Sequence, residues 1–193
     1  MIGYPLDSHV TFNDGVPSYD RAITSAPLRK LFRSLFTNGV LLADQTKLRV
    51  SWVGDTRVPG TVEGDEDTYN TVVSAGFGMV EGCMKLLENY YGLHLDTSTR
   101  VNPRIDTVVL RLDDNDSVRA CDFYIHEGTP ASTPVHPELT RSGGIYEIGL
   151  ADIYVPAMVS ADNPPVVTDT RLDSTRCGII TSISEVDTTN LHF

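Results

Sequence analysis

The stretch RIDTVVLRLDDNDSVRACDFYIHEG, residues 104–128, constrains the fold more than any other part of the chain. Two apolar-rich runs, 105–112 and 118–126, flank the polar group Asp113-Asp114-Asn115-Asp116. That pattern predicts an antiparallel hairpin with a four- or five-residue loop. Side chains alternate across a strand, so Val108, Leu110 and Leu112 share one face. Phe123 and Ile125 share one face of the return strand, while Ile105 and Val109 make the other face of the first strand apolar too. A first strand covered on both sides is therefore expected. A third run, 145–155, is long enough to lie beside the pair. Between them, the 18 residues 127–144 carry Pro130, Pro134 and Pro137 and read as an arm, a binding loop or an insertion.

Shorter strands are expected at 47–53, in pieces from 70 to 87 broken by Gly76, Gly78 and Gly82, at 166–170 and at 178–183. Residues 54–70 read as an acidic, glycine-bearing loop, and Asn13-Asp14-Gly15 as a tight turn. Composition agrees: Thr and Val each occur 20 times and Ala only 9 times. The expected fold is mainly β, an antiparallel β-sandwich or small barrel with one short N-terminal amphipathic helix. The organisation expected is an extended arm and helix over 1–45, a β-domain over 46–185 and a C-terminal tail over 186–193.

The helix is read from APLRKLFRSLFTNG. Leu28, Leu31, Phe32, Leu35 and Phe36 fall at i, i+3, i+4, i+7 and i+8 and make one stripe. Thr24 or Ser25 can cap it, Pro27 suits its first turn, and Asn38-Gly39 can close it in the left-handed conformation. The opposite face carries Arg29, Lys30 and Arg33. The apolar stripe is expected to pack on the β-body with the basic face in solvent. Aspartate at Leu31 or Leu35 is then expected to disrupt folding or assembly. The candidate assembly interface is Leu28, Arg29, Lys30, Leu31, Arg33 and Leu35.

Function classes are narrowed by charge. With 26 acidic and 15 basic residues the chain carries a net charge of -11. Residues 1–60 hold 7 basic and 5 acidic residues, the remainder 8 and 21, so the surplus of acid lies after the helix. Nucleic-acid binding, which needs many cations against phosphate, is not expected. Nor is membrane insertion, since no run approaches about 20 apolar residues. The opening MIGYPLDSHV lacks a signal peptide's layout.

No catalytic signature stands out. There is no GxSxG, and the five histidines, at 9, 94, 126, 136 and 192, follow no metal spacing. His126 and His136 flank the proline-bearing segment and read as surface or hydrogen-bonded residues. A glycosidase needs two carboxylates, which 26 acids always permit and nothing here marks. The acidic groups 63–67 and 113–116 are dense in oxygen ligands for calcium, but Asp and Asn are also what turns prefer. GFGMVEG offers spaced glycines without the strand–helix context of a nucleotide site. No cofactor is expected. Cys83, Cys121 and Cys177 show no CxxC pair and read as reduced thiols, with one disulfide and a spare thiol as the alternative. Trp52 and the tyrosines 69, 90, 91, 124, 146 and 154 could supply stacking faces for host surface glycan, the second reading of function.

YPLDSHVTF, YDRAITSAPLRKLFRSLFTNGVL, the stretch from RIDTVVLRLDD through GTPAS to IYVPA, and VVTDTRLDSTRCGIITSI resemble, in that order, tail and baseplate structural proteins of long-tailed bacteriophages. The resemblance spans about residues 4–183 and is weakest over 54–70. It implies a non-enzymatic component of the virion tail, assembled in the bacterial host cytoplasm as a homo-oligomer, commonly a trimer. Its partners would be other tail and baseplate proteins. In longer members this part is the tail-proximal anchor, with a stem or head beyond. The resemblance carries no catalytic residues onto this chain.

Overall fold

The computed structural model describes residues 10–19, 25–42, 46–54, 62–64, 69–98 and 101–181. The expected mainly-β fold is present: among the described residues it is a sandwich-like stack of sheets with a single helix and no closed barrel. The strands are β1 (Val10–Asn13), β2 (Val16–Tyr19), β3 (Gly39–Val40), β4 (Val50–Trp52), β5 (Val62–Gly64), β6 (Thr71–Val73) and β7 (Gly76–Val80). They continue with β8 (Cys83–Leu87), β9 (Tyr90–Leu93), β10 (Arg104–Asp113), β11 (Ala120–His126), β12 (Arg141–Ser142), β13 (Ile145–Val155) and β14 (Val166–Asp169). The helix α1 is Ser25–Leu35.

The largest sheet runs β11-β10-β13, with β12 and β14 both paired to β13. Smaller sheets β3-β7-β8 and β4-β6-β9-β5 oppose it, and β5 is parallel to β9. The acidic segment expected to be all loop thus contributes a short strand at β5, while Asp65, Glu66 and Asp67 lie outside the described residues. Between the layers, Val108, Leu110, Leu112, Phe123, Ile148, Leu150, Ile153 and Val155 meet Val40, Leu48, Val73, Val80, Leu87 and Leu93. A Cβ added to Gly78 would lie 2.7 Å from the Leu110 side chain, so the layers touch there with no room for a larger residue.

The expected hairpin forms, with a longer loop than predicted. Leu112 pairs with Cys121 and Asp113 with Ala120, leaving 114–119 as the turn. Val118, read as strand, is 48% exposed in that turn. β10 is buried on both faces, including Asp106 and Thr107 at 0% exposure. β13 carries a bulge opposite Val108 and Val109 that leaves Leu150 unpaired. The Thr170 N–H donates to the Leu150 carbonyl at 3.0 Å and its hydroxyl to the Gly149 carbonyl at 2.8 Å. Past the bulge the inward set changes from Ile148 and Leu150 to Ala151, Ile153 and Val155. The run read at 178–183 makes only one bridge among the described residues, Ile179 with Val40.

The proline-bearing segment is not a free arm. The Gly128 N–H donates to Asp106 Oδ1 at 2.8 Å, the Ala131 N–H to the Pro103 carbonyl at 3.0 Å and the Thr140 N–H to Glu147 Oε2 at 2.7 Å. It straps the outer face of its own sheet.

Candidate functional site

Helix α1 is the element whose placement departs most from its sequence pattern. None of its residues is buried. Leu31 is 45% and Leu35 46% exposed, while Leu28 and Phe32 are half-buried. The basic side holds the helix to the body. Arg29 Nη1 reaches Asp114 Oδ1 in the β10–β11 turn at 2.7 Å. Arg33 Nη1 reaches Glu81 Oε2 in the β7–β8 turn at 2.7 Å. Lys30 stays exposed beside them. The expected orientation is therefore corrected: ion pairs seat α1, and its apolar stripe is left part-open.

The seat is built from two turns. Val80 and Cys83 close a hairpin through Glu81 and Gly82, with φ of 50° and 73°. Glu81 also binds the chain beyond the helix: Asn38 Nδ2 donates to Glu81 Oε1 at 2.9 Å, and the Glu81 N–H donates to Asn38 Oδ1 at 2.7 Å. A Cβ on Gly82 would lie 2.1 Å from the Arg29 carbonyl oxygen, so the helix backbone rests directly on this turn. A groove of about 540 Å³ runs between helix and turns, lined by Arg29, Lys30, Arg33, Glu81 and Asp114. The helix closes through Phe36 N–H to the Phe32 carbonyl at 2.9 Å rather than through a left-handed Gly39. Gly39 instead opens β3 with φ 140°, and its Cβ position lies 2.3 Å from the Gly178 carbonyl oxygen.

Further apolar surface is open nearby in sequence. Met84 is 46% and Leu86 62% exposed on the outward face of β8, an end strand of its sheet. In the β1–β2 hairpin, closed by Asp14 and Gly15, residues 11–16 are all exposed, with Phe12 at 69% and Val16 at 66%.

Several buried or half-buried titratable residues elsewhere are engaged. Glu147, fully buried, accepts from Arg111 Nε at 2.7 Å and faces His126 Nδ1 at 3.2 Å. Burial pushes its carboxyl up, but the Thr140 N–H and Arg111 outweigh it and hold the group below its usual range. His136 Nδ1 lies 2.9 Å from Arg176, which also pairs with Asp152. Both central histidines are thus hydrogen-bonded, while His9 and His192 lie outside the described residues. Arg104, 3% exposed, donates from Nε to Asp106 Oδ1 at 2.9 Å. In the 113–116 group, Asp113 Oδ1 accepts from the Asn115 N–H at 3.0 Å and Asp114 serves Arg29. No cluster of three or more His, Cys, Asp or Glu suited to a metal occurs among the described residues.

The aromatics divide. Tyr69 is 5% exposed, Tyr91 stacks on Phe123 at 5.2 Å, Tyr124 lies under Arg111 and Tyr146 under Arg141. Trp52 lines a groove of about 550 Å³ with Thr97, Ser160 and Pro164, and Tyr146 borders a smaller one of about 200 Å³ with Arg141. The sequence reading missed Asn38, Glu81, Gly82 and Asp114 as the seat of the helix. The Glu81-Gly82 pair between two strand runs is a turn signal, but nothing in it names the helix as its load.

Comparison with family models, curated proteins and solved structures returns no match.

Proposed function

We propose that this chain is a non-enzymatic structural component of a bacteriophage tail tip or baseplate that anchors or assembles the host-recognition apparatus. It works as a homo-oligomer, commonly a trimer, among other tail proteins of the virion. The observation that carries the reading is the seating of α1. A helix held by Arg29 and Arg33 presents Leu31 and Leu35 outward, as an assembly element should. The open apolar residues of β8 and of the β1–β2 hairpin add to it. The multi-segment resemblance supplies the tail setting.

The test is the mass of the purified chain in solution and its position in an imaged particle. Leu31→Asp and Leu35→Asp should melt within about 1 kcal/mol of wild type, because neither site is enclosed. Each should lower the oligomer mass toward one chain. A wild-type chain that stays monomeric at high concentration and never appears in tail preparations would overturn the reading.

One observation favours a second reading, a module that contacts host surface glycan: the groove at Trp52. Glycan-array binding that is lost in Trp52→Ala would establish it.

A further inference from the structure

Cys83 begins β8 and Cys121 sits near the start of β11, in opposing sheets. On β8 the inward positions are 83, 85 and 87, with Met84 and Leu86 outward. On β11 the buried Phe123 marks Cys121 and Ile125 as inward neighbours. The two strands face each other: Lys85 Nζ reaches Asp122 Oδ1 at 3.1 Å and lies over the Phe123 ring at 5.8 Å. Gly82, next to Cys83, rests on Arg29, which pairs with Asp114, two residues past the Leu112 that Cys121 faces in the β10–β11 ladder, so the two thiols lie at the same end of the facing strands and each perturbs the other's titration. Both cysteines are unbridged and only half-buried.

We infer that Cys83 and Cys121 form an oxidisable thiol pair, which a small hydroperoxide converts to a disulfide that links the two sheets.

The electrostatics assign the roles. The hydrogen bond from Cys121 lowers the Cys83 thiol to about 7 against its partial burial, and Arg29 of α1 adds to the effect. Arg29 Nε is itself buried without a hydrogen-bond partner among the described residues. Cys121 is pushed the other way, by the same hydrogen bond and by burial, and stays a thiol. Cys83 thiolate attacks the O–O bond; its sulfur takes one oxygen as sulfenic acid and the other leaves as hydroxide or alkoxide. Cys121 then attacks the Cys83 sulfur. The S–O bond breaks, the oxygen leaves as water with the Cys121 proton, and the S–S bond forms. The two thiols are oxidised by two electrons and one peroxide is reduced. Cys177 is 5% exposed and pushed up to about 12 by burial, so it serves as the internal unreactive control.

The test uses the reduced full-length chain with hydrogen peroxide at equimolar amounts. The expected product is lighter by about 2 Da, the two hydrogens lost, and non-reducing peptide mapping places the bridge at Cys83–Cys121. In Cys121→Ser, dimedone should trap a sulfenic acid on Cys83; in Cys83→Ser, Cys121 should remain a thiol. Cys121→Ala serves where the serine variant folds poorly. Oxidation at Cys177 first, a bridge between chains, or two thiols still free after peroxide has consumed an equal amount of free cysteine would overturn the inference.

Discussion

Gly82 carries more of the architecture than its size suggests. Its φ of 73° closes the β7–β8 turn, and the place of its missing Cβ is taken by the Arg29 carbonyl. Gly82→Ala should strain the turn by about 1–3 kcal/mol and lift the helix. Amide exchange would show it, as faster exchange across residues 25–35 with the β10–β13 core unchanged. Asp106 is a different kind of keystone. It is fully buried, pairs with Arg104 and accepts from Gly128. Asp106→Ala takes the buried carboxylate from a guanidinium that is left with the exposed Glu127 as a charged partner, and should cost about 3 kcal/mol in urea unfolding. Glu147 and Asp169 titrate in a predictable direction. Arg111 and the Thr140 N–H hold Glu147 below its usual range against burial; the Arg171 hydrogen bond does so for Asp169. A depressed folded pKa means stability that is fully present above the ordinary carboxylate range. It is lost as pH falls through the folded value, so melting temperature should drop steadily between about pH 5 and pH 2. Glu147→Gln should lower stability at neutral pH, by stranding Arg111, and flatten that acid slope.

At the scale of elements, what the sequence showed and what it hid have physical causes. Period-two alternation named β10, β11 and β13 because side-chain direction is a local property of a strand. The same alternation could not show the bulge at Leu150, since an extra residue in IYEIGLADIYV looks like any other small-and-apolar run. The stripe of α1 was equally legible, yet its direction was not. Period tells which residues share a face, while direction depends on Asp114 and Glu81, far away in sequence. The same holds for Cys83 and Cys121, which only the stacking of β8 on β11 brings together. The strap over 127–140 was recognisable as a long segment by its prolines, but its anchors are single side chains far off in sequence, Asp106 on β10, Glu147 on β13 and Arg176 in the turn after β14. Aspartate in place of Leu31 or Leu35, read from sequence as a defect of folding or assembly, becomes a test of assembly alone, since both sites are half-open.

The whole molecule sets a polar body against a few open apolar places. Its net charge of -11 divides into +2 over residues 1–60 and -13 beyond, and two of the later acids, Glu81 and Asp114, seat the only helix described. Arg33 is 57% and Asp114 51% exposed, so these pairs are within reach of dissolved ions. Ionic strength therefore pulls the two sides of α1 in opposite directions. Sodium sulfate screens the arginine pairs that bind the helix to its own chain, while it strengthens any contact made through Leu31 and Leu35. Raising it should loosen α1 in the isolated chain yet tighten association between chains. Sedimentation and amide exchange across a salt series would then move apart, one toward larger particles, the other toward a freer helix. A subunit built this way gives up its helix most readily under the conditions in which a neighbour holds it best.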